Sequence, residues 1–377
     1  MIKELLSRIA KKCLTVKQYD IIWSKYIIWM EKYGKNRGYM DAVWSTEGEE
    51  EPDRQYYVFR WMEPNYSIFS VGLKMLLARE WAEKNHFIPV VDIEYEEDYM
   101  NGELGISNEW EFCFEQPCMT KDVARKKNVL TGPLIKGTEN WKYLRETCRE
   151  INGDEHDLYI HAIDDPGQYK DYYKKLNSLS RDIWTLKPEI LKDVELIWKE
   201  DFEGKRVLGV SLREMFNGDE DKKSLQKVVS KHPSSLKVEE ICELIRKYML
   251  KWNFSYIFAA TYYEDSIEKL KEEFGSRLLY LNRKRCRLDD DLSMNEKVWE
   301  SAQQGKITEL KKYSEKMWGE SGIREKTIDY MKEVILLSRC QYFIGAKSSG
   351  TIAACIMNNG EYEGLYIIPD ERGSRKY

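Results

Sequence analysis

Apolar residues in the second half of the chain come in short runs, and each run is followed by polar residues. These runs predict strands at Val207–Leu212, Tyr256–Ala260, Leu278–Leu281, Tyr342–Ile344 and Leu365–Ile368. Between them, apolar residues recur at helical spacing in Val238–Lys251, in a segment that ends at Phe274, in Ile323–Ser338 and from Thr351 onward. Buried strands that alternate with amphipathic helices predict a doubly wound, parallel sheet.

The first half carries a less regular version of this pattern. A strand predicted at Gln55–Trp61 is followed by a helix at Phe69–Asn85 and a strand at Phe87–Asp92, which together form a β-α-β unit. The acidic segment Ser45–Arg54 before this unit is predicted to be a loop. After it, Asn108–Gln116 is interpreted as an amphipathic element that packs through its three aromatic residues.

Residues 121–200 carry mainly helical patterns, so that a single strand is expected there, at Asp157–His161. Helices are predicted within Tyr169–Trp198, with an interruption at Pro188. The predicted fold class is therefore α/β with two Rossmann-like domains. We expect an N-terminal helical extension (residues 1–50), a first α/β domain (residues 51–203) and a Rossmann-like domain (residues 204–377).

The first forty residues combine an apolar stripe at helical spacing with lysines on the other face. Two interpretations remain open for this helix. It could lie on an anionic membrane surface, which would suit an enzyme that acts on lipid-linked glycans. It could equally pack against the body of the protein.

Composition narrows the class of protein. The chain has 377 residues, of which 42% are hydrophobic, so it is long enough for two domains. A net charge of −5 does not favour nucleic acid as a partner. The eight cysteines have no C-x-x-C spacing and are expected to be buried, reduced thiols. Without a signal peptide or about 18 consecutive apolar residues, the chain is expected in the cytoplasm, with the membrane surface as a further option.

Polar groups follow two of the predicted strands. Arg213 stands at the carboxyl end of the first, and Ser348 and Ser349 lie between two glycines at the end of another, just before a helix. A cation, hydroxyl groups and the N–H groups of a helix N-terminus can together bind an anion, so this edge is predicted to hold a nucleotide diphosphate. The alternative for the serines is an ordinary helix start.

Three segments, in this order, resemble signatures of the fucosyltransferase superfamily, which includes core α1,6-fucosyltransferases, rhizobial chitin-oligosaccharide fucosyltransferases and protein O-fucosyltransferases. Ser211–Arg213 resembles a His-x-Arg motif, and Ala260–Asp265 is similar to a strand that ends in Thr-Asp-Asp. The third segment places Glu333 on a helix before Leu337–Ser349, which resembles a strand that ends in Ser-Ser. The resemblance is clearest over Val207–Met357.

The resemblance implies a GT-B type glycosyltransferase, whose two domains face a cleft. Its C-terminal domain would hold GDP-fucose and its N-terminal domain a glycan or lipid-linked glycan, such as a polysaccharide precursor. Transfer would be inverting and would need neither a metal nor a cofactor. Arg213 would stabilise the leaving diphosphate, and Glu333 would accept hydrogen bonds from guanine. The implied donor site also contains Ser211, His232, Thr261, Asp265, Ser348 and Ser349.

Departures from the family pattern leave alternatives open. Ser211 replaces the usual histidine and Glu214 replaces a second arginine, so the chain could use another nucleotide sugar or bind one without catalysis. The general base is expected in the cluster Asp219–Asp221, with Asp219 and Asp221 as candidates, although a solvated acidic turn explains the same residues. His232, before Pro233, could instead be a turn or capping residue.

Overall fold

The computed structural model of the chain describes residues 43–62, 68–94, 108–136, 170–181, 183–212, 236–287, 322–346 and 348–368. The strands in these ranges are β1 (Val43–Ser45), β2 (Glu50–Met62), β3 (Ile88–Glu94), β4 (Lys126–Lys136), β5 (Val207–Ser211), β6 (Tyr256–Ala260), β7 (Leu278–Leu279), β8 (Tyr342–Ala346) and β9 (Gly364–Ile368). The α-helices are α1 (Ile68–Lys84), α2 (Trp110–Cys113), α3 (Lys170–Ser180), α4 (Pro188–Ile197), α5 (Val238–Met249), α6 (Glu264–Phe274), α7 (Gly322–Arg339) and α8 (Ser349–Met357). The α/β fold class is confirmed.

The second half forms a five-stranded sheet in the order β7-β6-β5-β8-β9, and all four pairings are parallel. This order is the 3-2-1-4-5 arrangement of a Rossmann-like unit. Strand β5 lies at the centre and is buried from Val207 to Val210, as expected of a parallel strand covered on both faces. Every strand and helix predicted for this half is present, with boundaries that differ by up to two residues.

The first half forms a four-stranded sheet in the order β1-β4-β2-β3, in which only the β1–β4 pairing is antiparallel. The predicted unit of β2, α1 and β3 is confirmed. Residues Val43–Ser45, predicted to lie in the N-terminal helical extension, form β1 instead, because they pair with β4. Two further predictions were wrong. Residues 50–54 belong to β2 and not to a loop, because Glu50 pairs with Lys126 across the sheet. Strand β4 was not predicted. Lysines at both ends and Gly132 and Pro133 near its centre interrupt the apolar run by which a buried strand is recognised in a sequence.

Among the described residues, side chains cover part of the free edge of β3. The side-chain oxygen of Gln116 accepts a hydrogen bond from the backbone N–H of Val91 at 2.9 Å, and the Asn108 amide bonds to the carbonyl of Val91 at 2.6 Å. Asn108 also accepts from the N–H of Ile93 at 3.0 Å. The two amides therefore satisfy backbone groups that an edge strand otherwise leaves unpaired.

The segment that carries these amides packs as expected. Its aromatic residues Trp110, Phe112 and Phe114 are buried. The acidic residue Glu111 between them is also buried, and it is satisfied by hydrogen bonds from the N–H and hydroxyl of Thr120 at 2.7 and 2.9 Å. Glu109 is buried as well, whereas Glu115 is exposed, so two of the three acids of this segment serve the interior.

One apolar cluster contains residues of both sheets. It includes Phe59 and Trp61 of β2, Phe343 of β8 and the helices α1, α3, α4, α7 and α8. The opposite face of the second sheet packs on α5 and α6 in a separate cluster. The chain turns at Gly204, whose φ of 74° favours glycine, three residues before β5. The domain boundary placed there stays a prediction, because the core continues across it.

The six cysteines in the described residues are all buried and free, as predicted. Burial raises the pKa of Cys242 to about 11 and that of Cys355 to about 12, which keeps both thiols protonated. Within the same residues, no helix has the length and apolar character that a membrane span needs. The predicted N-terminal helix and the strand Asp157–His161 lie outside the described residues.

We predict that Asn108→Ala lowers the free energy of unfolding by about 2–4 kcal/mol, because it removes the side-chain acceptor of the buried N–H groups of Ile93 and Trp110 and one of the two donors to the carbonyl of Val91. The control is Asn128→Ala, which removes an exposed hydrogen bond to the carbonyl of Pro52 and should cost less than about 1 kcal/mol. Urea unfolding of both variants measures the difference. Equal losses would contradict the role of Asn108 at the sheet edge.

Candidate functional site

The candidate site lies at the carboxyl edge of the second sheet. Helices α5 and α6, which follow β5 and β6, pack on one face of this sheet, whereas α7 and α8 pack on the other. The direction of the connections therefore reverses between β5 and β8. Ser211 at the end of β5 is paired there with Gly345 of β8. Ligands of open α/β sheets bind in the crevice at such a switch point.

Helix α8 begins beside this crevice and is held close to the sheet. Its N-cap is Ser348, whose Oγ accepts a hydrogen bond from the N–H of Thr351 at 3.3 Å. The buried Thr351 lies against Gly345, where an added Cβ would stand 2.7 Å from the threonine methyl group. Gly345 therefore allows the close approach of helix and strand. Ser348 acts as an ordinary cap for one N–H group of the first turn, and a helix N-terminus also offers N–H groups that the helix itself does not use.

Tyr330 of α7 reaches the same helix start. Its hydroxyl occupies the position that a side chain at residue 350 would need, so Gly350 is the residue that admits it. Phe69 of α1 fixes the tyrosine ring through an edge contact, with centroids 5.7 Å apart. A phenol is thereby placed at the N-terminal turn of α8.

The turn after β6 holds two other predicted residues. Thr261 is buried, and its hydroxyl accepts a hydrogen bond from the N–H of Tyr263 at 3.1 Å. Asp265 lies in the first turn of α6, where its carboxylate contacts the guanidinium of Arg287 at 3.3 Å. Thr261 therefore shapes the turn, whereas Asp265 is partly open to solvent.

Glu333 is the most enclosed of the predicted residues. Its side chain is 2% exposed, and Arg283 binds both of its oxygens, with Nε to Oε1 at 2.8 Å and Nη2 to Oε2 at 2.9 Å. Arg285 adds a contact from Nη2 to Oε1 at 3.3 Å. The Arg283 Nη2 also donates to the carbonyl of Thr261 at 2.9 Å. This network links α7 to the end of β6.

The charges of this network are set by burial and by the shared carboxylate. Burial acts to lower the pKa of Arg283, but the adjacent Glu333 outweighs it, and the pKa lies above its usual value. For Arg285 burial prevails and lowers the pKa. Burial also raises the pKa of Asp329, one turn before Glu333 on α7. Arginine stays protonated under all these conditions, so two cations face one fully buried carboxylate.

The structure brings part of the predicted site together. Ser211, Ser348 and Ser349 lie at the switch point, Thr261 ends the neighbouring strand, and Glu333 is joined to Thr261 through Arg283. Arg213, Asp219, Asp221 and His232 lie outside the described residues, and their assignments stay predictions.

Sequence reasoning missed the arginine segment, residues 283–287. Its three arginines contact Glu333, Asp265 and Glu268. The alternation Arg283, Arg285, Arg287 in an otherwise uncharacterised stretch was the available signal. Because alternate residues of an extended chain share a direction, that spacing could have suggested a row of ion pairs.

No group of three or more histidine, cysteine, aspartate or glutamate side chains suited to a metal ion occurs among the residues that the structure describes.

Among known proteins, only solved structures are similar to this chain. No protein-family model matches the chain, and no curated protein matches it in sequence. In fold, the chain is similar to fucosyltransferases. NodZ α-1,6-fucosyltransferase, soaked with GDP-fucose, has a TM-score of 0.40 and 13% identity over 81% of this chain and 93% of that one. A second structure, of fucosyltransferase NodZ from Bradyrhizobium, has a TM-score of 0.39 and 14% identity over 80% of this chain and 92% of that one.

Two further solved structures are similar at the same level. POFUT1 in its apo form has a TM-score of 0.42 and 10% identity over 85% of this chain and 99% of that one. A variant of Arabidopsis thaliana FUT1 in complex with GDP has a TM-score of 0.37 and 9% identity over 95% of this chain and 81% of that one.

We predict that Gly350→Ala destabilises the fold by about 1–3 kcal/mol, because the new methyl group collides with the Tyr330 hydroxyl. Removing that hydroxyl in the double variant Gly350→Ala, Tyr330→Phe should recover more than half of the loss. Urea unfolding of both single variants and the double variant measures the coupling. Additive effects of the two changes would show that the hydroxyl does not occupy this position.

Proposed function

We propose that the chain is a glycosyltransferase that moves a sugar from a nucleoside diphosphate to a glycan acceptor, with GDP-fucose as the first donor to test. The switch point between β5 and β8 is the observation that supports this most. It places Ser211 beside Gly345, the start of α8 next to both, and Arg213 two residues beyond the end of β5 in sequence. Hydroxyl groups, helix N–H groups and a cation are the partners that a diphosphate needs.

The proposed reaction follows from these groups. An acceptor hydroxyl attacks C1 of the sugar, the bond from C1 to the β-phosphate oxygen breaks, and the nucleoside diphosphate leaves. Negative charge grows on that diphosphate, so Arg213 and the N-terminal turn of α8 lower the barrier by stabilising it. The proton of the acceptor hydroxyl goes to a general base, for which Asp219 and Asp221 remain the candidates. Attack from the side opposite to the leaving group inverts the configuration at C1, and no metal is required.

A glycan or a lipid-linked glycan is the proposed acceptor. If the N-terminal helix lies on a membrane, as its pattern of lysines and apolar residues allows, a lipid-linked acceptor would be presented close to the enzyme. A transferase of the same architecture with another nucleotide sugar is the second candidate, and the engagement of Glu333 by two arginines favours it.

We predict that Arg213→Ala weakens nucleoside diphosphate binding by about 100-fold and lowers donor hydrolysis to a similar extent, because a charge-assisted contact to the phosphates is lost. Calorimetry with GDP, UDP, ADP and CMP measures binding, and release of free sugar from GDP-fucose measures hydrolysis. Arg206→Ala is the matched control, because Arg206 precedes β5 at the opposite edge of the sheet, where it contacts Glu363 and Tyr342.

Unchanged binding in Arg213→Ala would remove the donor site from this edge. Nucleotide binding without any release of sugar would favour a binding protein over a transferase.

Ser348 offers a second test, which separates its role as a cap from its proximity to a phosphate. Aspartate caps helices as well as serine does, so Ser348→Asp should keep the free energy of unfolding within about 0.5 kcal/mol. Its negative charge should nevertheless weaken diphosphate binding by at least about tenfold. Ser348→Ala is the converse control, which loses about 1 kcal/mol of stability and less affinity. Unaltered GDP binding in Ser348→Asp would place the phosphates elsewhere.

A further inference from the structure

The carboxylate of Glu333 has two strongly bound partners within the protein itself. Arg283 binds it through two parallel N–H···O bonds of 2.8 and 2.9 Å, and Arg285 adds a longer one of 3.3 Å. The side chains of Glu333, Arg283 and Arg285 are 2%, 5% and 1% exposed, respectively. Both oxygens are therefore occupied inside a site that excludes water.

Guanine and guanidinium compete for such a carboxylate. The edge of guanine that includes its 2-amino group offers two neighbouring N–H donors, and the fork of Arg283 offers the same arrangement. Two bidentate donors cannot lie in one plane against the same pair of oxygens. Guanine can bind Glu333 in this way only after Arg283 has left.

Several contacts oppose the departure of Arg283. Its Nη2 also donates to the carbonyl of Thr261, and its Nη1 donates to the carbonyl of Lys284 at 3.2 Å. Moving it would break these bonds together with the buried ion pair, which is costly when the partner charge stays buried. Arg285 does not take its place, because it contacts one oxygen only and is held by the carbonyl of Leu281 at 2.8 Å.

We propose that Arg283 determines the base specificity of the nucleotide site by keeping Glu333 closed to guanine. The donor is then bound through its diphosphate, and the 2-amino group of guanine contributes nothing to affinity. This inference rests on the proposed nucleotide-binding function and adds to it the residue that selects the base.

GDP and IDP test the inference, because inosine differs from guanosine only by the missing 2-amino group. Calorimetry on the full chain should give dissociation constants for GDP and IDP within about threefold of each other. Arg283→Ala opens one oxygen of Glu333 fully, so GDP should then bind about tenfold more tightly than IDP, as a hydrogen bond to a charged group predicts. Millimolar guanidinium chloride should remove this new preference, because the ion refills the vacated position.

Controls separate specificity from folding. Arg246→Ala removes an exposed arginine that is also paired with a glutamate, Glu273, and the ratio of the two dissociation constants should not change. Circular dichroism verifies the fold of each variant. If Arg283→Ala does not fold, Arg283→Lys replaces it, because lysine keeps the positive charge but loses the fork.

Each result has a defined meaning. A preference for GDP of more than about threefold in the unaltered protein, or an unchanged ratio in the folded Arg283 variants, overturns the inference while the nucleotide site stands. If GDP, IDP and UDP all fail to bind the unaltered protein, the proposed function fails and the inference fails with it.

Discussion

Burial of helix α7 is the constraint on which the rest of the structure depends. Its apolar residues Met331, Val334, Ile335, Leu336 and Leu337 belong to the cluster that also contains Phe59 and Trp61 of the first sheet and Phe343 of the second. The apolar face of α7 packs against residues of both sheets and of the helices between them. Neither sheet alone could therefore bury this face of the helix. Removal of this apolar area from water therefore stabilises both halves at once.

The length of α7 then explains the site. The helix has 18 residues, whereas the strand β8 that follows it has five. At 1.5 Å per helical residue and about 3.3 Å per strand residue, the helix is about 27 Å long and the strand about 17 Å, so the first turns of α7 extend beyond the sheet. From this projecting part of α7, Thr327 contacts Glu109 at 2.7 Å, and further along the helix Tyr330 reaches Gly350 and Glu333 reaches Arg283. One buried helix thus positions polar groups that come from three distant parts of the chain.

The sequence predicts the second sheet well for a physical reason. Its strands are buried on both faces, so each appears as an uninterrupted apolar run such as Val207–Val210, and the helices between them are amphipathic. Strand β4 could not be recognised in this way, because it pairs near the edge of the first sheet and carries lysines at both ends together with Gly132 and Pro133. The side-chain amides of Asn108 and Gln116 that cover β3 are likewise invisible without the tertiary structure.

For the site, the sequence predicted which chemical groups are present better than whether each group is free to bind a ligand. Ser211 and Ser348 were placed correctly at one sheet edge, because the carboxyl ends of parallel strands must meet there. Glu333 was recognised as an acidic residue on a helix before a strand that ends in serines. What a motif cannot indicate is whether such a carboxylate is free to bind a ligand. That depends on residues 50 positions away in the chain, since Arg283 contacts Glu333 only after α7 has packed against the turn that follows β6. A carboxylate in a motif and a carboxylate open to a ligand are separate properties. The first is local in sequence, whereas the second depends on which charged side chains the fold buries beside it. In this chain the fold buries Arg283 and Arg285 beside Glu333. The packing that builds this edge of the sheet therefore also occupies both oxygens of the Glu333 carboxylate.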